Sequence, residues 1–176
     1  TFRYDYDGEG NRTRRIHTAS GAVTEYTWDF RNRLTRIVAK NGSGGVLSTV
    51  AQTYNVFNER ILRTESGGGS QQFAVSGGRV QTVINSGGQV SNRYLHGPIV
   101  DLILADEQAG GGVLYPLADQ QMTARDLVNS SGQIANHRFF DSFGKLVGQS
   151  KPAVDYLFGY TGREMDATTG LHYYRA

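Results

Sequence analysis

The sequence predicts an all-β fold built from consecutive antiparallel β-hairpins. Three observations lead there. First, one turn recurs: Tyr6-Asp7-Gly8-Glu9-Gly10, Trp28-Asp29-Phe30-Arg31-Asn32 and Phe140-Asp141-Ser142-Phe143-Gly144 each run aromatic, Asp, two variable residues, then Gly or Asn. The aromatic suits the end of a half-buried strand. The Asp side chain can bond the backbone two residues on, and Gly or Asn tolerates the positive φ through which a bulge re-enters the next strand. Second, the turn is periodic. Shifted by 22 residues, Tyr4 meets Tyr26, Asp7 meets Asp29, Thr13 meets Thr35 and Arg14 meets Arg36, while Gly10, Gly21 and Asn32 mark a half-period of 11. Third, 23 Gly, 10 Tyr, 8 Phe and only 3 Pro among 176 residues suit short strands and tight turns, not a helix bundle, where glycine is costly.

The elements follow in order. Phe2, Tyr4 and Tyr6 share one face of a strand and Arg3, Asp5 and Asp7 the other; Thr24, Tyr26 and Trp28 repeat the alternation. Leu34 to Lys40 reads as a strand, Asn41 to Gly45 as a loose loop. The repeat resumes weakly at Tyr54-Asn55-Val56-Phe57-Asn58, and Arg60, Ile61 and Leu62 lead the next strand. Ser66 to Ser70 reads as a wider turn or mobile tip. Phe73 to Val75 and Val80 to Ile84 are short strands joined at Gly77-Gly78, and Gly87-Gly88 leads into Val90 to Leu95. His96-Gly97-Pro98 breaks that strand. Ile99 to Ala105, apolar apart from Asp101, reads as a strand buried on both faces. Val113 to Leu117 is a strand, and Asp119 to Val128 reads as β rather than as a short helix. Gln133 to Phe140 follows, with Lys145 to Val147 after the next turn. Ser150 to Ala153 is a linker, and Leu171 to Arg175 is the last strand. Thr1-Phe2-Arg3-Tyr4 and Tyr173-Tyr174-Arg175-Ala176 both look like mid-strand, as though cut from something longer.

The totals exclude several functions. With 18 Lys and Arg against 16 Asp and Glu, a net charge of +2 makes no electrostatic case for nucleic acid. No segment has the length and apolarity of a membrane span. The absence of cysteine excludes disulfides and thiolate metal sites. The early arginines (Arg12, Arg14, Arg15, Arg31, Arg33, Arg36) read as a solvated or cavity-lining face.

Candidate chemistry is weak. Asp5-Tyr6-Asp7-Gly8-Glu9-Gly10 resembles the start of a calcium loop, but Ile16 stands where a bidentate Glu is required, so a hairpin turn is the better reading. His17, His96, His137 and His172 have no ligand spacing for zinc. Asp119 with Asp126, or Asp101 with Asp106, could form a carboxylate pair of glycosidase type, although acids are common in turns. Neither a nucleophile elbow nor a phosphate loop is present. Asn11, Asn41 and Asn129 head glycosylation triplets. The aromatic stripes read as cross-strand packing. The expected catalytic, cofactor-binding and metal residues are therefore none, and no cofactor is expected.

The turns and the block after Tyr94 together resemble the Rhs/YD-repeat proteins, and the second half is similar to the Rhs-associated core region. The carrying pieces are Gly97-Pro98-Ile99-Val100-Asp101, Pro116-Leu117-Ala118-Asp119, Arg125-Asp126-Leu127-Val128, Asp141-Ser142-Phe143-Gly144, Phe158-Gly159-Tyr160-Thr161-Gly162-Arg163-Glu164, Thr169-Gly170-Leu171 and Tyr173-Tyr174-Arg175-Ala176. The resemblance divides the chain into YD-repeat hairpins over 1–93 and a core-like segment over 94–176, continuous with the same β-shell. It implies a spiral of hairpins forming part of a hollow shell wall, as in teneurins. The shell would enclose a polymorphic, often toxin-type, C-terminal region of a secreted or cell-surface protein. Its partners would be the neighbouring repeats of the same polypeptide and the enclosed region, with self-association through exposed strand edges when the piece stands alone. Gln120 and Met122 depart from the His and Gly usual in the family, as do Met165 and His172 from aromatics; Met122 implies a backbone that need not adopt a glycine conformation. The family's Asp-Pro cleavage motif does not occur here, so no cleavage chemistry is expected in this chain. The alternative is a carbohydrate- or cell-surface-binding module using exposed Tyr and Trp28.

Overall fold

A computed structural model describes residues Thr1–Arg175. Ala176, the end of the block that carries the resemblance, lies outside the described residues. The strands are β1 (Phe2–Tyr6), β2 (Arg12–His17), β3 (Val23–Trp28), β4 (Leu34–Lys40), β5 (Val46–Tyr54), β6 (Arg60–Glu65), β7 (Gly69–Ser76), β8 (Arg79–Asn85), β9 (Val90–His96), β10 (Ile103–Gln108), β11 (Val113–Ala118), β12 (Ala124–Asn129), β13 (Ile134–Phe140) and β14 (Leu146–Gln149). They form one 14-stranded antiparallel sheet whose order is the order of the sequence. The predicted all-β hairpin fold is the observed one. A single 3-10 turn (Tyr160–Gly162) and a two-stranded sheet of β15 (Glu164–Met165) and β16 (His172–Tyr173) follow.

Among the described residues, at least seven turns of one design explain this regularity. They begin at Asp7, Asp29, Asn41, Asn55, Asp119, Asn129 and Asp141. In each, Oδ1 of the first residue accepts the amides of the third and the fifth, at 2.7–3.1 Å. The fourth residue (Gly10, Asn32, Gly44, Asn58, Met122, Gly132 or Gly144) has φ between 58° and 87°. Beside every one of them the strand register slips, as between Thr27 and Trp28 or Phe139 and Phe140. This is a three-residue hairpin loop closed by a bulge. The turn at Gln108 has the same backbone bonds, Gly111 N–H to Gln108 O at 3.1 Å and Gln108 N–H to Gly112 O at 2.8 Å. Its head is Gln108 rather than Asp or Asn, so the backbone can make the turn and the shorter Asp or Asn side chain reinforces it.

Several expectations need correction. Asn41 to Gly45 is not loose but one of the seven turns. Ser66 to Ser70 is tighter than expected, since Glu65 already pairs with Gly69 at the start of β7. The nine-residue β5 was not foreseen. Ile99 and Val100 are exposed rather than buried on both faces. The strand starts only at Ile103, because Gly97 N–H bonds Leu102 O at 2.8 Å and Asp101 adopts φ 63°, closing a turn there. Met122, at φ 63°, does adopt the left-handed conformation that glycine favours. Leu171 to Arg175 contributes only His172–Tyr173 to a strand.

The chain divides into two compact units. The first comprises residues 1–73 and 85–87. Its core is a cross-strand row, with Tyr26 opposite Ile37 and Ile37 opposite Val50, joined by Phe73. The second comprises residues 74–84 and 88–175. Its core holds Val80, Val83, Tyr94, Ile103, Leu114 and Leu127, and Phe158 is fully buried. The Phe158 ring meets Tyr94 edge-on at 4.8 Å. The segment after β14 therefore covers the sheet of its own unit. Arg138 Nη1 donates to Phe158 O at 2.7 Å, and Thr161 N–H donates to Thr123 Oγ1 at 3.1 Å.

Candidate functional site

The residues singled out by sequence mostly hold turns. Asp7 Oδ1 accepts Glu9 N–H and Asn11 N–H, and its Oδ2 accepts Asn11 Nδ2 at 3.1 Å. Both carboxylate oxygens of Asp7, in the middle of the supposed calcium loop, are thus engaged by the hairpin itself. Asp29 also takes Arg33 Nε at 2.8 Å and Nη2 at 2.7 Å. The Arg33 hydrogen bond outweighs burial and, with the amides of Arg33 and Arg31, holds the Asp29 carboxyl below its ordinary value.

Successive turns on one edge of the first unit touch through side chains. Asn11 Nδ2 donates to Asn32 Oδ1 at 2.9 Å. Arg31 donates to Val56 O at 3.1 Å and Arg33 to Asn55 O at 3.1 Å, and both reach Asn58 Oδ1 at 3.2 Å. Turns at 7, 29 and 55 are so stitched in order. On the opposite edge Gly42 abuts the turn at residues 18–22, where a Cβ would stand 2.0 Å from Ser20 O.

The acidic pairs separate. Burial pushes the Asp119 carboxyl up, but the Arg125 hydrogen bond at 2.9 Å and the amides of Gln121 and Thr123 outweigh it, leaving it below its ordinary value. Asp126 bonds the cross-strand His137 Nδ1 instead. Asp101 pairs with Arg163 at 2.9 Å and Arg175 at 3.1 Å, whereas Asp106 is fully buried and accepts Asn92 Nδ2 at 2.9 and 3.2 Å. Each carboxylate has its own partners, which is structural pairing rather than an acid and base facing one substrate. The histidines are dispersed too. His17 Nδ1 meets Ser20 Oγ at 2.8 Å, and His96 Nε2 donates to Val80 O at 2.8 Å. Among the described residues no group of three His, Asp or Glu side chains could hold a metal ion, and no helix is long and apolar enough to cross a membrane.

The arginines only half follow expectation. Arg14, Arg31 and Arg36 are exposed. Arg12 lies over Tyr26 at 4.5 Å, Arg15 over Phe2 at 4.8 Å and Arg33 over Tyr54 at 5.0 Å. These stack on the stripe of rings rather than standing free in water. Trp28 is half-buried and its indole N–H donates to Arg12 O at 2.9 Å.

Sequence reasoning missed a buried polar cluster in the second unit. Arg138 is 2% exposed, and burial lowers its guanidinium to about 10. Burial raises Asp106 to about 6, against the hydrogen bonds from Asn92 and Gln108. Tyr156 is 5% exposed and burial raises its hydroxyl strongly. A signal was present: Asn136, Arg138 and Phe140 alternate on β13, and all three are buried. The strand period places a charge in core phase.

Comparisons with known proteins agree with this architecture. Residues 6–43 match the RHS Repeat family. Over 203 residues the chain is 23% identical to Teneurin-1 of Gallus gallus, covering 97% of this chain and 7% of that protein. Its fold is similar to the crystal structure of TcdB2-TccC3-TEV, with TM-score 0.60 and 14% identity over 98% of this chain and 11% of that one. It is also similar to the Photorhabdus luminescens Tc holotoxin pore, with TM-score 0.61 and 14% identity over the same shares. The chain thus contains an RHS/YD repeat region, with the fold of a stretch of those far longer chains.

Proposed function

With an RHS/YD repeat region as the premise, we propose that this chain is wall: a segment of a β-shell that encloses a C-terminal, polymorphic toxin-type region of its parent protein. The observation that carries this reading is the strict agreement of strand order with sequence order, stitched at its edge by turn-to-turn bonds. Such a sheet grows by adding hairpins and needs no long-range crossover. Residues 1–93 supply the YD-repeat hairpins and 94–176 the core-like segment, continuous with the same shell. The chain supplies no catalytic, cofactor-binding or metal residue. Its partners are the adjoining repeats and the enclosed region, with no nucleic acid and no insertion into a membrane, and its setting is secreted or cell-surface. Standing alone it self-associates through unpaired strand edges.

Limited proteolysis of the parent tests enclosure. The region downstream of the shell resists protease until the wall is cut or denatured. Cleavage of that region at the same rate in the intact shell and in a shell-deleted form contradicts the proposal. Exposed rings such as Phe30 and Phe57 keep a carbohydrate- or cell-surface-binding reading in play. A glycan array with Trp28→Ala and Phe57→Ala variants decides it, and specific binding lost in either variant would favour recognition over containment.

A further inference from the structure

In the second unit, the segment after β14 meets its sheet along a seam that two histidines line. His172 lies in the segment, in β16, and its buried Nε2 has no hydrogen-bond partner. His96 lies on the sheet, at the end of β9, and its ring meets the Phe158 ring edge-on at 6.3 Å. We propose that this seam is an acid-sensitive latch: when both imidazoles take a proton, the segment lifts from the sheet while the hairpins stay paired.

The charges around each ring favour opening. A Cβ on Gly159 would stand 3.1 Å from His172 Nε2 and 3.3 Å from Arg138 Nη2. The imidazole of the segment and the guanidinium of β13 therefore sit against the same glycine. The rings of Tyr160 and Tyr174 also face His172, each at 6.4 Å. Across the small sheet, β15 sets Met165 opposite His172 and Glu164 opposite Tyr173. His96 faces Arg79 of β8, Arg175 of the segment, and Asp101. Asp101 is already shared by Arg163 at 2.9 Å and Arg175 at 3.1 Å. A proton on His172 thus meets Arg138, and a proton on His96 meets Arg175. Both repulsions cross the seam.

The folded chain favours neutral rings. Burial lowers His172 most, and Arg138 adds to it. Burial also leads at His96, where Arg79 and Arg175 add to it against the Val80 carbonyl and Asp101. Such groups contribute stability that is present above about pH 6.5 and lost as pH falls through the lowered folded value. Asp106, with a folded value of about 6, works in the opposite direction. Its partners Asn92 and Gln108 belong to the sheet, so its titration weighs on the sheet more than on the seam. The segment has little structure of its own to hold it in place: one 3-10 turn and two strands of two residues. The sheet is paired strand to strand. Local opening of the segment therefore precedes unfolding of the sheet. The latch does not depend on the wall reading.

Hydrogen exchange of the full chain tests it, from about pH 7.5 down to about pH 5, with labelling times scaled to the intrinsic rate. Amides of the segment from Tyr156 to Arg175 lose protection as pH falls below about 6.5, while those of β10 to β12 keep it. His172→Phe supplies an uncharged ring, and His96→Gln keeps a donor for Val80 O. Each moves the midpoint of opening down by about half a pH unit or more, and the double variant abolishes the opening. Protection at the upper pH certifies that a variant is folded, and His96→Gln carries the test alone if His172→Phe is not. His137→Gln, at a histidine bonded to Asp126 rather than to the segment, leaves the midpoint unchanged, and Asp106→Asn leaves the opening in place. Undiminished protection of the segment down to about pH 5 overturns the latch. So does loss of protection in β10 to β12 at the same pH, an unchanged midpoint in every folded variant of His96 and His172, or loss of the opening in Asp106→Asn.

Discussion

At the scale of the residue, one oxygen decides each turn. Asp29 Oδ1 serves two amides and Oδ2 serves Arg33. Asp29→Ala is expected to cost about 2–3 kcal/mol. Asp29→Asn keeps an acceptor, loses the ion pair, and is expected to cost about 1 kcal/mol or less; urea denaturation of both checks the order. Glycine is needed for two different reasons. Gly10 has φ 87° and no atom near its missing Cβ, whereas Gly42 has Ser20 O 2.0 Å from that position. Gly10→Ala therefore costs only conformational strain, about 1 kcal/mol. Gly42→Ala must displace a neighbouring turn and costs more, which a thermal-melt comparison resolves.

The acids give two pH windows. Asp29 has a lowered folded pKa, so its contribution is present above the unfolded value of about 3.9 and lost as pH falls through the folded one. Asp106 is the reverse. Its folded pKa is about 6, so its contribution is fully present below the unfolded value and lost as pH rises through about 6. Asp106→Asn is expected to flatten the stability profile between pH 4 and 6, roughly the interval between those two pKa values, and to leave the acid limb in place. Denaturant midpoints measured across both windows check it. The turns at Asp7, Asp29 and Asp141 were legible because Asp followed an aromatic residue; Asp119 follows Ala118, and its turn was read as part of a strand that starts only at Ala124. Asn41 makes the same bonds but follows Lys40, so the aromatic cue was missing and the glycines around it suggested slack; Asn129 follows Val128, and its turn was legible from the Asn-Ser-Ser-Gly run itself.

At the scale of the element, alternation was enough to find Leu34–Lys40 to the residue. It failed for Ile99 to Ala105, where an apolar run concealed a turn. Asp101 closes that turn through Arg163 and Arg175, partners more than sixty positions away in the sequence, and local reading cannot see them. The covering role of the segment after β14 was invisible for the same reason. Phe158 carries it, with no exposed surface and rings of Tyr94 and Tyr156 around it. Phe158→Ala is expected to cost about 3–5 kcal/mol. Hydrogen exchange should show the loss of protection in β9 to β13, where its contacts lie. Full retention there would mean that the segment merely rests on the sheet. The buried Arg138 was half legible: strand phase put it in the core, but nothing local supplied Tyr156 as its neighbour.

At the scale of the whole molecule, the hairpin order is the plan of the sheet, because each strand pairs with the one before and the one after. Only β1 and β14 lack a second neighbour within that sheet, and these are the edges where a longer wall would continue. The most direct test is an electron cryo-microscopy structure of the parent protein. The account predicts a further strand paired along the outer side of β1, with the sheet continuing into a wall around the C-terminal region. A β1 edge open to solvent, with the C-terminal region lying outside the sheet, would contradict it.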